Sequence, residues 1–266
     1  MLRTFHANEY VQPADRGLNR PILLRGKTDA GEDASIFVKT RAGYGDRPAA
    51  PGIELFTTLL ARELELIAPE PVLVQIPPGF ENVVFDAADY RALIQQSHGI
   101  NFGTVALSPD WKTWPEAMSA RAFPQDTIGD ILAFDALVQH TDRYPDNPNM
   151  LWRNREIAIL DHEKCFGHLV LAPQSQHPWR EFLKINPFQN HTLRRSLQTD
   201  DTPPGRRLWQ NLIGLETEGR IPQLVQTVRG IFPESGVELD RILHYFTLLN
   251  MNLADFFAYF RASIDK

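Results

Sequence analysis

The run Asp135-Ala-Leu-Val-Gln-His140-Thr-Asp142-Arg143-Tyr-Pro-Asp146-Asn147-Pro-Asn149-Met-Leu-Trp152 restricts this chain to few folds. An apolar-periodic segment feeds a loop dense in Asp, Asn and Pro, which make turns by bonding the local backbone or by fixing φ. Two short apolar runs follow, at 150–152 and 157–160, with Asn154-Arg155-Glu156 as the turn between them. Asp161 closes the second run, and His162-Glu-Lys-Cys-Phe166 continues from it. The order is helix, polar loop, hairpin, acid. It sets Asp142 at a loop start, able to face a cleft, and Asp161 at a strand end. A surface Asx-rich turn is the plainer explanation of the same loop.

The remaining bounds are broad. A chain of 266 residues can form one large domain or two lobes. A net charge of -6 argues against nucleic acid as the main partner, which usually leaves a basic footprint. Cys165 is the one cysteine, so no internal disulfide and no cysteine-only metal site can form, and a reducing compartment, the cytoplasm, is expected. No run of about 18 apolar residues offers a membrane span. Residues 1–6 lack the apolar core of a signal peptide.

Taken in order, the chain shows strand patterns at 21–24 and 35–40 around a polar turn, a Gly/Pro-rich loop at 41–51, and a helix at 53–66. Strands at 71–76 and 103–107 flank a helix at 89–96. Helices are then expected at 127–139, 180–185, 206–215, 221–232 and, as one long element, 239–264. The fold class is therefore α+β: a sheet-rich part with one helix over 1–110, and a mostly helical part over 111–266. Lys39 ends the second strand, where an ammonium suits the α/β-phosphates, although a lysine snorkelling from a strand end looks the same. Glu54 falls in the first turn of the 53–66 helix, either complementing the helix dipole or pairing with Lys39.

Asp142, a downstream Asn, a hairpin and Asp161 follow one another as the parts of a kinase catalytic centre do. There the first Asp takes the acceptor's proton, while the Asn and the second Asp hold magnesium. The chain resembles the HipA-like kinase family, in particular its short members made of the kinase unit alone. The resemblance is carried by Gly17-Leu-Asn-Arg-Pro21, Phe37-Val-Lys39, Ile53-Glu54, Gly99-Ile-Asn-Phe-Gly103, His140-Thr-Asp-Arg143 through Asn149-Met-Leu151, and Leu160-Asp-His162 through Phe166. The middle is also similar to phosphoinositide kinases. The resemblance implies a bilobal protein-kinase-like fold, ATP with Mg²⁺, and phosphoryl transfer to a protein hydroxyl or another acceptor facing the small lobe. It places a phosphate cradle at Gly17, Asn19 and Arg20. The 106–108 linker, with Leu107, is assigned to the adenine ring.

Within the loop, Arg143 can pair with Asp161 or with a backbone carbonyl and so hold Asp142. Oxygen ligands from Asn147 or Asn149 together with Asp161 suit hard Mg²⁺. Spacing from Asp142 selects Asn147; strand register selects Asn149. The chain has no Gly-x-Gly-x-x-Gly loop, and His162-Glu163 follows Asp161 where protein kinases have Phe-Gly. Three alternatives stand beside the kinase: a metal hydrolase centre from His140, Asp142, Asp161 and His162; a pseudokinase used for binding; and a nucleotidyl transferase with ATP reversed. His98, His168, His177, His191 and His244 carry no spacing signal. The acceptor and the oligomeric state are not written in the sequence.

Overall fold

The structure is a computed structural model that describes residues 2–14, 19–85, 87–116, 118–171, 175–198 and 203–265. The chain divides into two compact units, one of residues 1–51 and 69–108 and the other of residues 52–68 and 109–266.

The first unit is built on a closed five-stranded barrel. Strands β1 (Arg3–Pro13), β2 (Ile22–Thr28), β3 (Asp33–Lys39), β4 (Pro71–Ile76) and β5 (Gly99–Val105) run in the order β1-β2-β3-β5-β4, and a parallel β1–β4 pairing closes the ring. Closure removes the exposed edges that an open sheet of this size would leave. Alternate side chains point inward, and Phe5, Leu24, Ile36, Val38, Val72, Val74 and Ile76 fill the interior. The barrel closes tightly at glycine: a Cβ on Gly103 would lie 2.7 Å from Val74 Cγ2 and 2.8 Å from Ile36 Cγ2. Helix α2 (Ala88–Gln95) joins β4 to β5. Strand β1 had no counterpart in the sequence pattern, because its register is broken by irregularities between Ala7 and Glu9 and between Tyr10 and Gln12. A bulged strand loses strict alternation.

Helix α1 (Ala50–Glu63) enters the second unit at Gly52. It starts three residues before the expected position, because Pro51, a loop signal in the sequence, is tolerated in a first helical turn. Glu54 therefore lies past that turn, and dipole complementation does not explain it. Helix α3 (Gln125–Leu137) is the centre of this unit, buried at every residue from Ile128 to Leu137. A small antiparallel sheet pairs β6 (Lys112–Thr113), ahead of α3, with β7 (Met150–Arg153) and β8 (Glu156–Ile159), which follow the polar loop. Helices α4 (Gly167–Leu171), α5 (Pro178–Lys184), α6 (Arg206–Thr217), α7 (Arg220–Ile231), α8 (Gly236–Asn250) and α9 (Leu253–Ile264) complete it. Phe166 packs against α1 and α8, its ring centroid within 6.2 Å of those of Phe56, Tyr245 and Phe246.

The long helix expected over 239–264 is two helices. Asn252 interrupts it: its Nδ2 donates to Leu248 O, while its own carbonyl accepts from Phe256 N at the start of α9. An Asn side chain that bonds the preceding turn offers the backbone an alternative to continued helix.

Candidate active site

Asp135, in the last turn of α3, anchors the loop that follows. Arg143 reaches back to it with both prongs of its guanidinium, Nε to Oδ2 at 2.8 Å and Nη2 to Oδ1 at 3.1 Å. Its Nη1 donates to Asn149 O at the far end of the loop. Of the two partners expected for Arg143, the structure has the backbone carbonyl and replaces Asp161 by Asp135. His191 adds a third bond to the carboxylate, Nε2 to Oδ2 at 2.8 Å. Leu193 N donates to His191 Nδ1, which fixes the proton of this ring on Nε2. Burial alone would raise the Asp135 pKa, but the Arg143 charge and the His191 bond overcome it and hold the carboxyl well below the usual range. His191 was invisible in the sequence, since its partner lies 56 positions away.

Asp142 sits in the loop so braced. Its Oδ2 accepts from Lys164 Nζ at 2.8 Å. Its carbonyl accepts from Asn149 Nδ2 at 2.8 Å and from Asn147 Nδ2 at 3.4 Å. Asn149, with φ 47°, sits in the left-handed region that Asn tolerates better than most residues. Each amide spends its nitrogen on this carbonyl, so Oδ1 is the atom that can ligate a cation.

Asp161 follows β8 with φ 64°. Leu160 N donates to Asn149 O, and His140 Nε2 to Asp161 O at 3.2 Å, so the two ends of the site share one hydrogen-bonded frame. Burial, reinforced by the Arg143 charge, lowers the His140 pKa to about 4, keeping it a neutral donor. Around Asp161 stand Glu54 of α1 and Glu163, both buried, with carboxylate oxygens of the three residues within 4.8 Å of one another. Such an all-oxygen set fits a hard divalent cation such as Mg²⁺. Glu163 and Lys164 were not singled out in the sequence; the alternation Asp161, Glu163 after a strand end was the available signal.

No histidine belongs to this cluster among the described residues. His162 turns instead to Thr58, Nδ1 lying 3.2 Å from Oγ1. Burial drives its pKa well below the usual value. The hydrolase centre of His140, Asp142, Asp161 and His162 is thereby set aside. Cys165 is buried, and burial pushes its thiol up, so it behaves as a small apolar side chain.

The other expected site residues belong to the first unit. Lys39 ends β3 opposite Phe102. Asn19 is buried and accepts from Arg47 Nη2 at 2.5 Å. Arg20, at φ 51°, lies over the Tyr90 ring at 4.5 Å and pairs with Asp89. Leu107 is half-buried just after β5. Gly17 lies outside the described residues.

No curated protein matches the sequence. Among solved structures the chain is similar to the Helicobacter pylori proinflammatory kinase CtkA, with a TM-score of 0.52 and 12% identity over 100% of this chain and 99% of that one. At that identity the likeness is one of fold. The family model of the HipA-like kinases matches residues 8–199. That span covers most of the barrel, the braced loop of Asp142 and the acidic cluster at Asp161, and on it the chain belongs to the HipA-like kinase family.

Proposed function

We propose that the chain is a bilobal kinase that transfers the γ-phosphoryl group of ATP, with Mg²⁺, to a hydroxyl of a protein, of serine or threonine type. The observation that carries it is the frame around Arg143, which braces the Asp142 loop and is bonded to the Asp161 segment where the carboxylates of Glu54, Asp161 and Glu163 cluster. Phosphoryl transfer asks for positioned charge more than for covalent chemistry.

In this reading Lys164 occupies Oδ2 of Asp142, so Oδ1 takes the acceptor hydroxyl's proton as the new O–P bond forms and the bond to the departing diphosphate breaks. Arg143 holds the loop. Asp161, with Asn147 and the neighbouring acids, would hold Mg²⁺, which supplies charge neutralisation on the phosphates. Lys39, Asn19, Arg20 and Gly17 serve the phosphates from the sheet-rich lobe over 1–110, and Leu107 the adenine. A single buried cysteine and no described helix able to cross a membrane agree with action in the cytoplasm.

The test is incubation of pure protein with γ-labelled and α-labelled ATP in parallel. Label transferred to protein from the γ position alone supports the kinase. Transfer from the α position would instead mean nucleotidyl transfer, and transfer from neither would favour a binding module.

A further inference from the structure

We propose that Lys164 is a catalytic residue of this site, its ammonium bridging Asp142 and the γ-phosphoryl group of bound ATP. This rests on Asp142 being the base. A hydroxyl that gives its proton to Asp142 lies roughly 2.6–3.2 Å from a carboxylate oxygen. The phosphorus it attacks lies about 3–3.5 Å beyond in a near-attack arrangement. Nζ of Lys164 is 2.8 Å from Asp142 Oδ2, so its ammonium stands on the carboxylate that would meet the acceptor.

The loop has no other cation for this task. From Gln139 to Asn149 it contains no lysine, and its one arginine, Arg143, is buried and committed to Asp135 and Asn149. A carboxylate base and an incoming phosphoryl group repel each other, and a positive charge beside Asp142, where Lys164 stands, reduces that repulsion. Its mount is fixed: Cys165 N bonds His162 O, and Phe166 N bonds Val138 O at 2.7 Å, pinning the segment to the start of the catalytic loop. The side chain itself is 41% exposed against 18% for Asp142, leaving the ammonium able to shift. An exposed ion pair contributes little to stability, so its removal should register in ligand binding and leave the fold intact.

The experiment is titration calorimetry of Mg²⁺-ATP and Mg²⁺-ADP against the full chain, the Lys164→Met and Lys164→Arg variants, and Lys164→Gln should the Met variant be destabilised. A charge-assisted bond to the γ-phosphoryl predicts at least about a tenfold loss of ATP affinity in Lys164→Met, or 1.4 kcal/mol, with ADP affinity held within about twofold. Lys164→Arg should retain most of the ATP preference. An unchanged ATP-to-ADP affinity ratio in Lys164→Met, with the wild type binding both, overturns this assignment alone. A wild type that binds neither nucleotide overturns the proposed kinase as well.

Discussion

Arg143 and Asp135 form a two-pronged ion pair closed off from solvent, and the same guanidinium also binds the carbonyl of Asn149. One side chain thus ties the end of α3 to the end of the Asp142 loop. Removing it strands a buried carboxylate, so Arg143→Met should cost about 3–5 kcal/mol. Arg143→Lys should lose much of that too, since one ammonium cannot reproduce the planar fork. Urea unfolding of both variants is the measurement. A loss under 1 kcal/mol in both would mean that the frame does not depend on this pair.

The barrel makes an independent prediction. A Cβ at Gly103 meets the side chains of Val74 and Ile36 and approaches Phe37 O at 3.1 Å. Gly103→Ala should destabilise the protein by about 1–3 kcal/mol through overpacking. Gly31, at φ +81° with open space around it, should also resist alanine, but only through backbone strain. Thermal melts of the two variants, each with and without a nearby Val74→Ala, separate the causes. Only Gly103→Ala should be relieved by the smaller neighbour.

Much of this was legible in the sequence where signals are local. The β7–β8 hairpin, the helix before it and the acids at Asp142 and Asp161 all follow from short-range periodicity and turn chemistry. What stayed hidden depends on contacts between distant positions. His191 joins Asp135 only through the fold, and Glu54 meets Glu163 only because α1 packs in the same unit as the Asp161 segment. Strand β1 escaped because its bulges break the alternation, and the division between α8 and α9 because one Asn inside an apolar run is a weak signal.

Glu216, in α6, gives a pH test. Its Oε1 is buried without a hydrogen-bond partner among the described residues, and burial pushes its pKa up to about 7. Between the ordinary carboxylate range and 7 the folded protein keeps a proton that the unfolded chain has released. Stability therefore falls as pH rises through that window, and the cost is complete above it. Glu216→Gln should melt higher than wild type at pH 8 and close to it at pH 5. Parallel pH profiles for the two proteins would remove Glu216 as the cause.

The two acids should separate by function. Asp142→Asn should still bind Mg²⁺-ATP yet abolish label transfer, since the base proposed for Asp142 acts on the acceptor. Asp161→Asn and Glu163→Gln should instead raise the Mg²⁺ concentration needed for nucleotide binding. Calorimetry across a Mg²⁺ series checks both. Equal loss of nucleotide binding in all three variants would show that Asp142 also serves the nucleotide.

Asn147 and Asn149 converge on a single carbonyl, that of Asp142, but from unlike positions. Asn149 is half-buried, at φ 47°, with the shorter bond of 2.8 Å; Asn147 is exposed, with a bond of 3.4 Å. Pro148 between them restrains Asn147 to extended backbone, so the two amides cannot exchange places by a simple rotation. Asn149 therefore has a structural task that can be divided into parts. Asn149→Gly keeps the left-handed backbone and loses only the hydrogen bond, at about 1 kcal/mol. Asn149→Ala adds the strain of a left-handed alanine, another ~1–2 kcal/mol. Asn147→Ala should change stability by less than about 0.5 kcal/mol, as exposed positions do. If Asn147 ligates the metal, its alanine variant should nevertheless need more Mg²⁺ for half-maximal nucleotide binding, while Asn149→Gly should not. The reverse pattern in the Mg²⁺ titration would assign the ligand to Asn149, with strand register rather than spacing from Asp142 deciding the chemistry.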